Sequence, residues 1–358
     1  MPAALGGRIV DGTLNFASTT PEVLRVATAA GTGVRSGPTV DRAADAGPGR
    51  PEPGPLFERD RELAAIERLI EHAASARGQL VVVEGPLGIG KTTLLRAAEA
   101  LAWERGFTVL AARCSPLERD FSFGLVRSLF ERVVLGEGDE PRSLLSGAAA
   151  LAARALAGGD GEGLAREDVS YGTLHGLYWL TANLAARAPL LLSVDDGHWA
   201  DHPSLRYLVH LGARLDGLRA LVLLAVRAGD PSPDPELLRE LLALSTREPI
   251  RPAALGPEAA AALVRAELGA GASDRFCLAC HAATDGNPLL LRALAASLAA
   301  EGLEPTDEAA ARVASFGAEG IARVLRRQLA RLPEGSEALL RALAVLGPDP
   351  PLRHAAAL

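Results

Sequence analysis

Apolar residues along this chain fall into two rhythms. Four short runs, at 79–84, 107–113, 190–194 and 221–226, are almost continuously apolar. They are too short for helices, and the pattern predicts strands buried on both faces of a parallel sheet. Around them the apolar spacing shifts to three and four residues: Leu63, Ile66, Leu69 and Ile70 before the first run, then 93–100, 121–134, and Leu174, Leu177, Tyr178 and Leu180 continuing to Ala186. A further helix, led by Pro203, follows the third run, and a fifth short strand is expected around 250–255. Strands alternating with helical crossovers predict an α/β fold, a doubly wound parallel sheet of about five strands.

From Pro257 onward strand signals vanish. Helices are predicted at 258–268, 273–283, 288–300, 318–332 and 336–346, which read as a helical lid over 257–304 followed by the start of another helical unit. At the other end, residues 1–55 are rich in Gly, Ala, Thr and Pro, with a Gly-Pro-Gly-Arg-Pro-Glu-Pro-Gly-Pro run that cannot hold a helix, so a disordered leader is expected there. An Ala/Gly/Glu-rich insertion runs from 136 to about 168. The α/β domain is therefore placed at 56–256.

Composition narrows the function classes. At 358 residues the chain can hold one large or two modest cores, and its net charge of −7 with no long basic block gives no nucleic-acid footprint. No DNA-binding module is expected within it. Three cysteines argue for a reducing compartment without a disulfide framework, and the cytoplasm is the expected location. Neither a signal peptide nor an apolar stretch of about 18 residues is present, so no membrane partner is expected.

The chemistry concentrates at Gly85-Pro86-Leu87-Gly88-Ile89-Gly90-Lys91-Thr92, which fits G-x-x-x-x-G-K-[ST] between a strand and a helix. Glycines let the backbone approach a phosphate closely, and amides converge at the positive end of the helix dipole. The candidate nucleotide-binding residues are Gly85 to Thr92 together with Thr93. Lys91 is placed on the β and γ phosphates and Thr92 on magnesium. Of 37 lysines and arginines Lys91 is the sole lysine. A compact ammonium suits a loop interior where a planar guanidinium would not fit.

The third strand ends in Asp195-Asp196, at the carboxyl edge where a magnesium-side acid is expected. Asp195 is assigned to the ion, and Asp196 is the nearest candidate to orient or deprotonate an attacking water. The fourth strand terminates in Arg227, a candidate sensor of the γ phosphate. His198 is read as structural, and Asp201 as part of a helix N-cap.

Cys277-Leu278-Ala279-Cys280-His281 spells C-x-x-C-H, the pattern of c-type haem attachment. It lies inside a helical pattern with no evident second axial ligand, and a zinc site would have to recruit a remote Cys114. Structural residues are expected here, and no haem.

With these landmarks in place, the sequence resembles the nucleotide-binding domain of the large ATP-binding LuxR-type transcriptional regulators, the MalT-like group of signal-transduction ATPases with numerous domains (STAND). The resemblance is carried by Leu-Phe-Glu-Arg-Asp-Arg-Glu-Leu at 56–63, by 85–92, and by Glu-Arg-Asp-Phe-Ser-Phe-Gly at 118–124. Leu-His-Gly-Leu-Tyr-Trp-Leu-Thr at 174–181, Val-Asp-Asp-Gly-His-Trp-Ala-Asp at 194–201 and Thr-Asp-Gly-Asn-Pro-Leu-Leu at 284–290 also carry it. It implies ATP and ADP with Mg2+ as cofactors, Pro288 of a Gly-x-Pro element as a contact to the base, and a switch between a closed ADP form and an open, often oligomeric ATP form. Self-association through the ATPase domain is thus an expected partner mode. Similar proteins continue through a complete winged helix, a helical-repeat sensor and a helix-turn-helix, whereas 305–358 holds only an incomplete winged-helix-like segment. A truncated frame or fragment is expected, and DNA binding is not carried over. Three other readings stand beside a slowly hydrolysing regulatory ATPase: a non-hydrolysing nucleotide-binding scaffold, a small-molecule P-loop kinase and a nonfunctional remnant.

Overall fold

The computed structural model describes residues 55–117, 119–134, 143–156, 170–227, 232–245 and 248–313. The leader up to residue 54, most of the 136–168 insertion, Glu118 and the helices expected at 318–332 and 336–346 lie outside the described residues.

Helix α1 (Asp60–Ala74) precedes β1 (Gln79–Glu84), and α2 (Lys91–Glu104) leads to β2 (Thr108–Arg113). Then come α3 (Gly124–Val134), a short helical turn α4 (Ala153–Leu156), α5 (Tyr171–Arg187) and β3 (Leu190–Asp195). Next are α6 (His202–Gly212), β4 (Ala220–Val226) and α7 (Pro235–Ala243). Three helices close the described chain apart from a last 3₁₀ turn: α8 (Pro257–Leu268), α9 (Asp274–Thr284) and α10 (Pro288–Ala300).

The four strands form one parallel sheet in the order β1-β4-β3-β2. The α/β parallel architecture is as anticipated; the strand count differs. Around 250 there is a single parallel bridge, in which Glu84 donates to the Ile250 carbonyl (2.9 Å) and Ile250 to that of Val82 (2.8 Å). Pro249 and Pro252 flank it. Neither has an N–H to extend a ladder, so the fifth segment stops at one rung.

Alternation along the strands builds two cores. Val81, Val83, Val109, Leu191, Leu221 and Leu223 face α1 and α2, packing with Ile66, Ile70, Leu94 and Leu95. Leu80, Val82, Leu190, Leu192, Val222 and Leu224 face α3, α5 and α6, packing with Phe130, Leu177, Leu180 and Tyr207. Burial of β3 and β4 at every position explains why β4 reads as an unbroken apolar run and β3 as one interrupted only by Ser193 before its terminal Asp195. A third core, with Leu263, Phe276, Leu291 and Leu294, belongs to α8, α9 and α10.

Beyond the carboxyl edge of the sheet, Asp201 caps α6 by accepting from Ser204 N (3.0 Å). The same carboxylate accepts from Phe123 N (2.9 Å) and Leu125 N (3.1 Å), tying the start of α3 to that of α6. These bonds satisfy a carboxylate buried to 3% exposure, whose desolvation pushes its pKa up.

Candidate phosphate-binding site

The loop between β1 and α2 has each of its six consecutive carbonyls, 85 to 90, occupied by a donor. Lys91 Nζ donates to Gly85 O (2.7 Å) and Pro86 O (2.9 Å). Asn287 Nδ2 donates to Leu87 O (3.0 Å), and the backbone of Leu289 to Gly88 O (3.2 Å). Arg59 Nη2 serves Ile89 O (3.0 Å), and Leu94 N serves Gly90 O as the first bond of α2 (3.0 Å). Across a planar trans peptide the carbonyl and the next N–H point in opposite directions. Each loop carbonyl that is engaged has the amide that follows it turned away from that donor. Such amides, next to the first-turn N–H groups of α2, are of the kind that can hold an anion.

Gly88 sits at φ +79, and a Cβ there would lie 2.5 Å from Leu289 Cβ and 2.7 Å from Asn287 Oδ1. The loop thus needs glycine for its conformation and for the close approach of α10.

Thr92, in the first turn of α2, donates its hydroxyl to Asp195 Oδ2 at 2.8 Å. Two oxygen donors from different elements therefore meet at the end of β3, next to the loop. A hydroxyl and a carboxylate are oxygen ligands of the kind a hard divalent cation would take. Behind them Ser193 donates to Glu99 Oε1 (2.6 Å), and burial pushes the Glu99 carboxyl up.

Asp196 departs from the expectation of a carboxylate available to water. It adopts φ +51, and both its oxygens face guanidinium groups. Arg113 holds Oδ2 through Nη2 (2.9 Å) and Nε (3.2 Å), while Arg227 Nε lies 3.2 Å from Oδ1. Burial raises its pKa, but the Arg113 hydrogen bond and the charges of Arg227 and Arg113 outweigh burial and hold the carboxyl below the usual range. Arg227, read as a γ-phosphate sensor, is directed onto Asp196 at the tip of β4.

On the flank of the loop lies a shallow, open cleft. Leu56 and Phe57 line it from the segment before α1, Ile89 and Thr93 from the loop and α2, and Leu263 and Pro288 from the three-helix unit. Pro288, far away in sequence, is thereby brought beside Thr93.

Arg59, Arg113 and the Asn287 side chain were not singled out from sequence. Arg59 is only 5% exposed and bridges Ile89 O to Ala253 O (2.8 Å). Burial lowers its pKa against the opposing charges of Glu62 and Glu58. An arginine in a coil segment carries no periodic signal, and its partners lie 30 and 194 residues away.

The C-x-x-C-H pentapeptide is built into α9. Cys277 and Cys280 are each 1% exposed within the third core, and burial pushes both thiols up, Cys280 to about 12. His281 Nε2 lies 3.0 Å from Leu255 O. Among the described residues no cluster of three or more His, Cys, Asp or Glu is arranged to hold a metal, and no helix is long and apolar enough to cross a membrane.

Comparison with known proteins gives a family match and several distant likenesses of fold. The AAA ATPase domain family matches residues 55–226. No curated protein matches the chain. Among solved structures, the Walker-type ATPase paby2304 of Pyrococcus abyssi is 15% identical, with 84% of this chain and 87% of that one covered and a TM-score of 0.49. The ORC1 protein of Aeropyrum pernix, solved in complex with DNA, is 17% identical, with coverage of 84% and 74% and a TM-score of 0.45. Cdc6p from Pyrobaculum aerophilum is 17% identical, with coverage of 70% and 65% and a TM-score of 0.45. The matched stretch contains the phosphate loop, Thr92 and both acids, and it is over residues 55–226 that the chain is similar to AAA ATPase domains.

Proposed function

We propose that this chain is the ATP- and ADP-binding, slowly hydrolysing switch domain of a LuxR-type (STAND) regulator, acting in the cytoplasm and able to self-associate through its ATPase domain. The observation that carries the nucleotide reading is the 2.8 Å Thr92–Asp195 contact beside a loop whose carbonyls are all engaged. Loop amides and Lys91 would hold the phosphates, Thr92 and Asp195 would hold Mg2+, and Pro288 with Leu56 and Phe57 would cover the base. Bound magnesium nucleotide supplies the scissile phosphoanhydride and a cation that offsets charge on the phosphate oxygens.

For the phosphates to be gripped, Lys91 Nζ has to leave Gly85 O and Pro86 O, which lie at 2.7 and 2.9 Å. Arg227 would share its charge between Asp196 and the γ phosphate. Asp196 would orient water once Arg113 yields one of its oxygens. A second reading, a nucleotide-loaded scaffold that does not hydrolyse, is favoured by the same arginine pair engaging both Asp196 oxygens. Multiple-turnover phosphate release separates the two. The switch predicts slow release that Asp196→Asn abolishes; binding without release supports the scaffold. ADP formation that requires an added small-molecule acceptor would instead indicate a kinase.

A further inference from the structure

The carbonyls of Leu87 and Gly88 are met from outside the sheet domain, by the first residues of α10. Asn287 uses both ends of its side-chain amide. Oδ1 accepts from Leu289 N (3.0 Å) and Leu290 N (3.3 Å), capping α10, while Nδ2 donates to Leu87 O (3.0 Å). Capping needs an acceptor and a loop carbonyl needs a donor, and an amide offers both in one group. The Leu289 amide, 3.2 Å from Gly88 O, adds a second link.

The residues behind Asn287 fix its place. Gly286, at φ +66, packs so closely that a Cβ would lie 2.1 Å from Leu255 O, and its own carbonyl accepts from Leu255 N at 2.9 Å. The segment carrying Leu255 is in turn joined to the loop by Arg59, which bridges Ala253 O and Ile89 O. The loop tip is therefore enclosed on two sides by contacts that converge on α10.

We propose that Asn287 is a positioning residue: it fixes the phosphate loop's carbonyls to α10, so that presentation of the loop amides and the seating of the three-helix unit are one coupled conformation. This rests on the reading of 85–92 as a nucleotide phosphate cradle. Coupling of this kind is reciprocal. A phosphate that reorients the loop moves α10, and a force on α10 changes phosphate affinity. In Asn287→Ser the hydroxyl still caps the helix but is too short to reach Leu87 O, and Asn287→Asp keeps the cap and the shape but has no donor.

The test uses the full-length chain, wild type and both variants, with three readouts: thermal midpoint, hydrogen exchange of 85–92 without nucleotide, and equilibrium affinity for ATP and ADP. The expected result is a nearly unchanged midpoint, several-fold faster exchange in 85–92 and about tenfold weaker binding of both nucleotides, the size of one lost bond to a backbone carbonyl. Serine separates the loss of the donor from charge repulsion by aspartate. Should one variant fail to fold, the other decides. A role confined to capping predicts wild-type exchange and affinity in both variants, and that result overturns the proposal. Lys91-dependent binding with unaffected variants sinks the coupling alone. Faster loop exchange in a chain whose wild type binds no nucleotide sustains the coupling and sinks the nucleotide reading.

Discussion

Thr92 and Asp195 lie 103 residues apart and meet at 2.8 Å, hydroxyl to carboxylate, where the start of α2 abuts the end of β3. Sheet topology brings them together. The phosphate loop follows β1, the acid ends β3, and β4 between them sets the spacing. If this pair holds the magnesium of a bound nucleotide, its loss will be felt in the presence of the ion. Thr92→Val is expected to weaken ATP binding about tenfold with Mg2+ and little in excess chelator, while Thr92→Ser retains most of the affinity. Calorimetric titration under the two conditions checks this.

Gly88 is the point at which the loop meets α10. Gly88→Ala combines a left-handed backbone with a Cβ 2.5 Å from Leu289 Cβ, so the loop or the helix has to shift. The expected cost is about 1–3 kcal/mol of stability together with a large loss of ATP affinity. Thermal melts and nucleotide titration of the same preparation measure both. A variant with wild-type values in each would show that the contact between loop and helix is dispensable.

His210 provides a pH dependence remote from the site. It is 8% exposed and contacts Tyr171 and Tyr178 edge-on, and its pKa is lowered first by burial, then by the charges of Arg214 and His175. The folded state resists a proton that the unfolded chain accepts. The stabilisation is therefore full above the ordinary histidine pKa of about 6.5 and is lost as pH falls through the lower folded value. The thermal midpoint should drop between pH 7 and 5, and His210→Gln should flatten that slope.

All three cysteines, Cys114, Cys277 and Cys280, are buried, and burial holds the thiols of Cys277 and Cys280 in the protonated, unreactive form. Thiol titration with a disulfide reagent should find almost no rapid reaction in the native protein and three thiols in denaturant. Rapid native labelling of Cys280 would mean that α9 does not pack as described.

The parts of the fold legible in the sequence were those with a local signature. β1, β3 and β4 announce themselves because both faces are buried, α8 to α10 because one stripe of each is apolar, and the phosphate loop because its glycines and lysine stand at fixed spacing. Asp201 was readable as a cap because the helix starts beside it. What escaped depends on long-range partners. Arg59 and Arg113 look like the surface arginines that abound in this chain until the fold sets them against Ile89 O and Asp196. The dual role of Asn287 is invisible without its partner, Leu87, 200 residues away. The fifth strand failed for a local reason, since prolines at 249 and 252 limit Ile250 to one bridge.

The most direct test is equilibrium binding of ATP and ADP to the full-length protein with Mg2+, wild type beside Lys91→Ala. Lys91 is 6% exposed and holds Gly85 O and Pro86 O, so its circular dichroism and thermal melt must be followed alongside. Saturable binding by the wild type that falls at least about a hundredfold in a folded Lys91→Ala protein is the predicted result. A folded wild type that binds neither nucleotide, or binds both equally well without the lysine, would contradict the account.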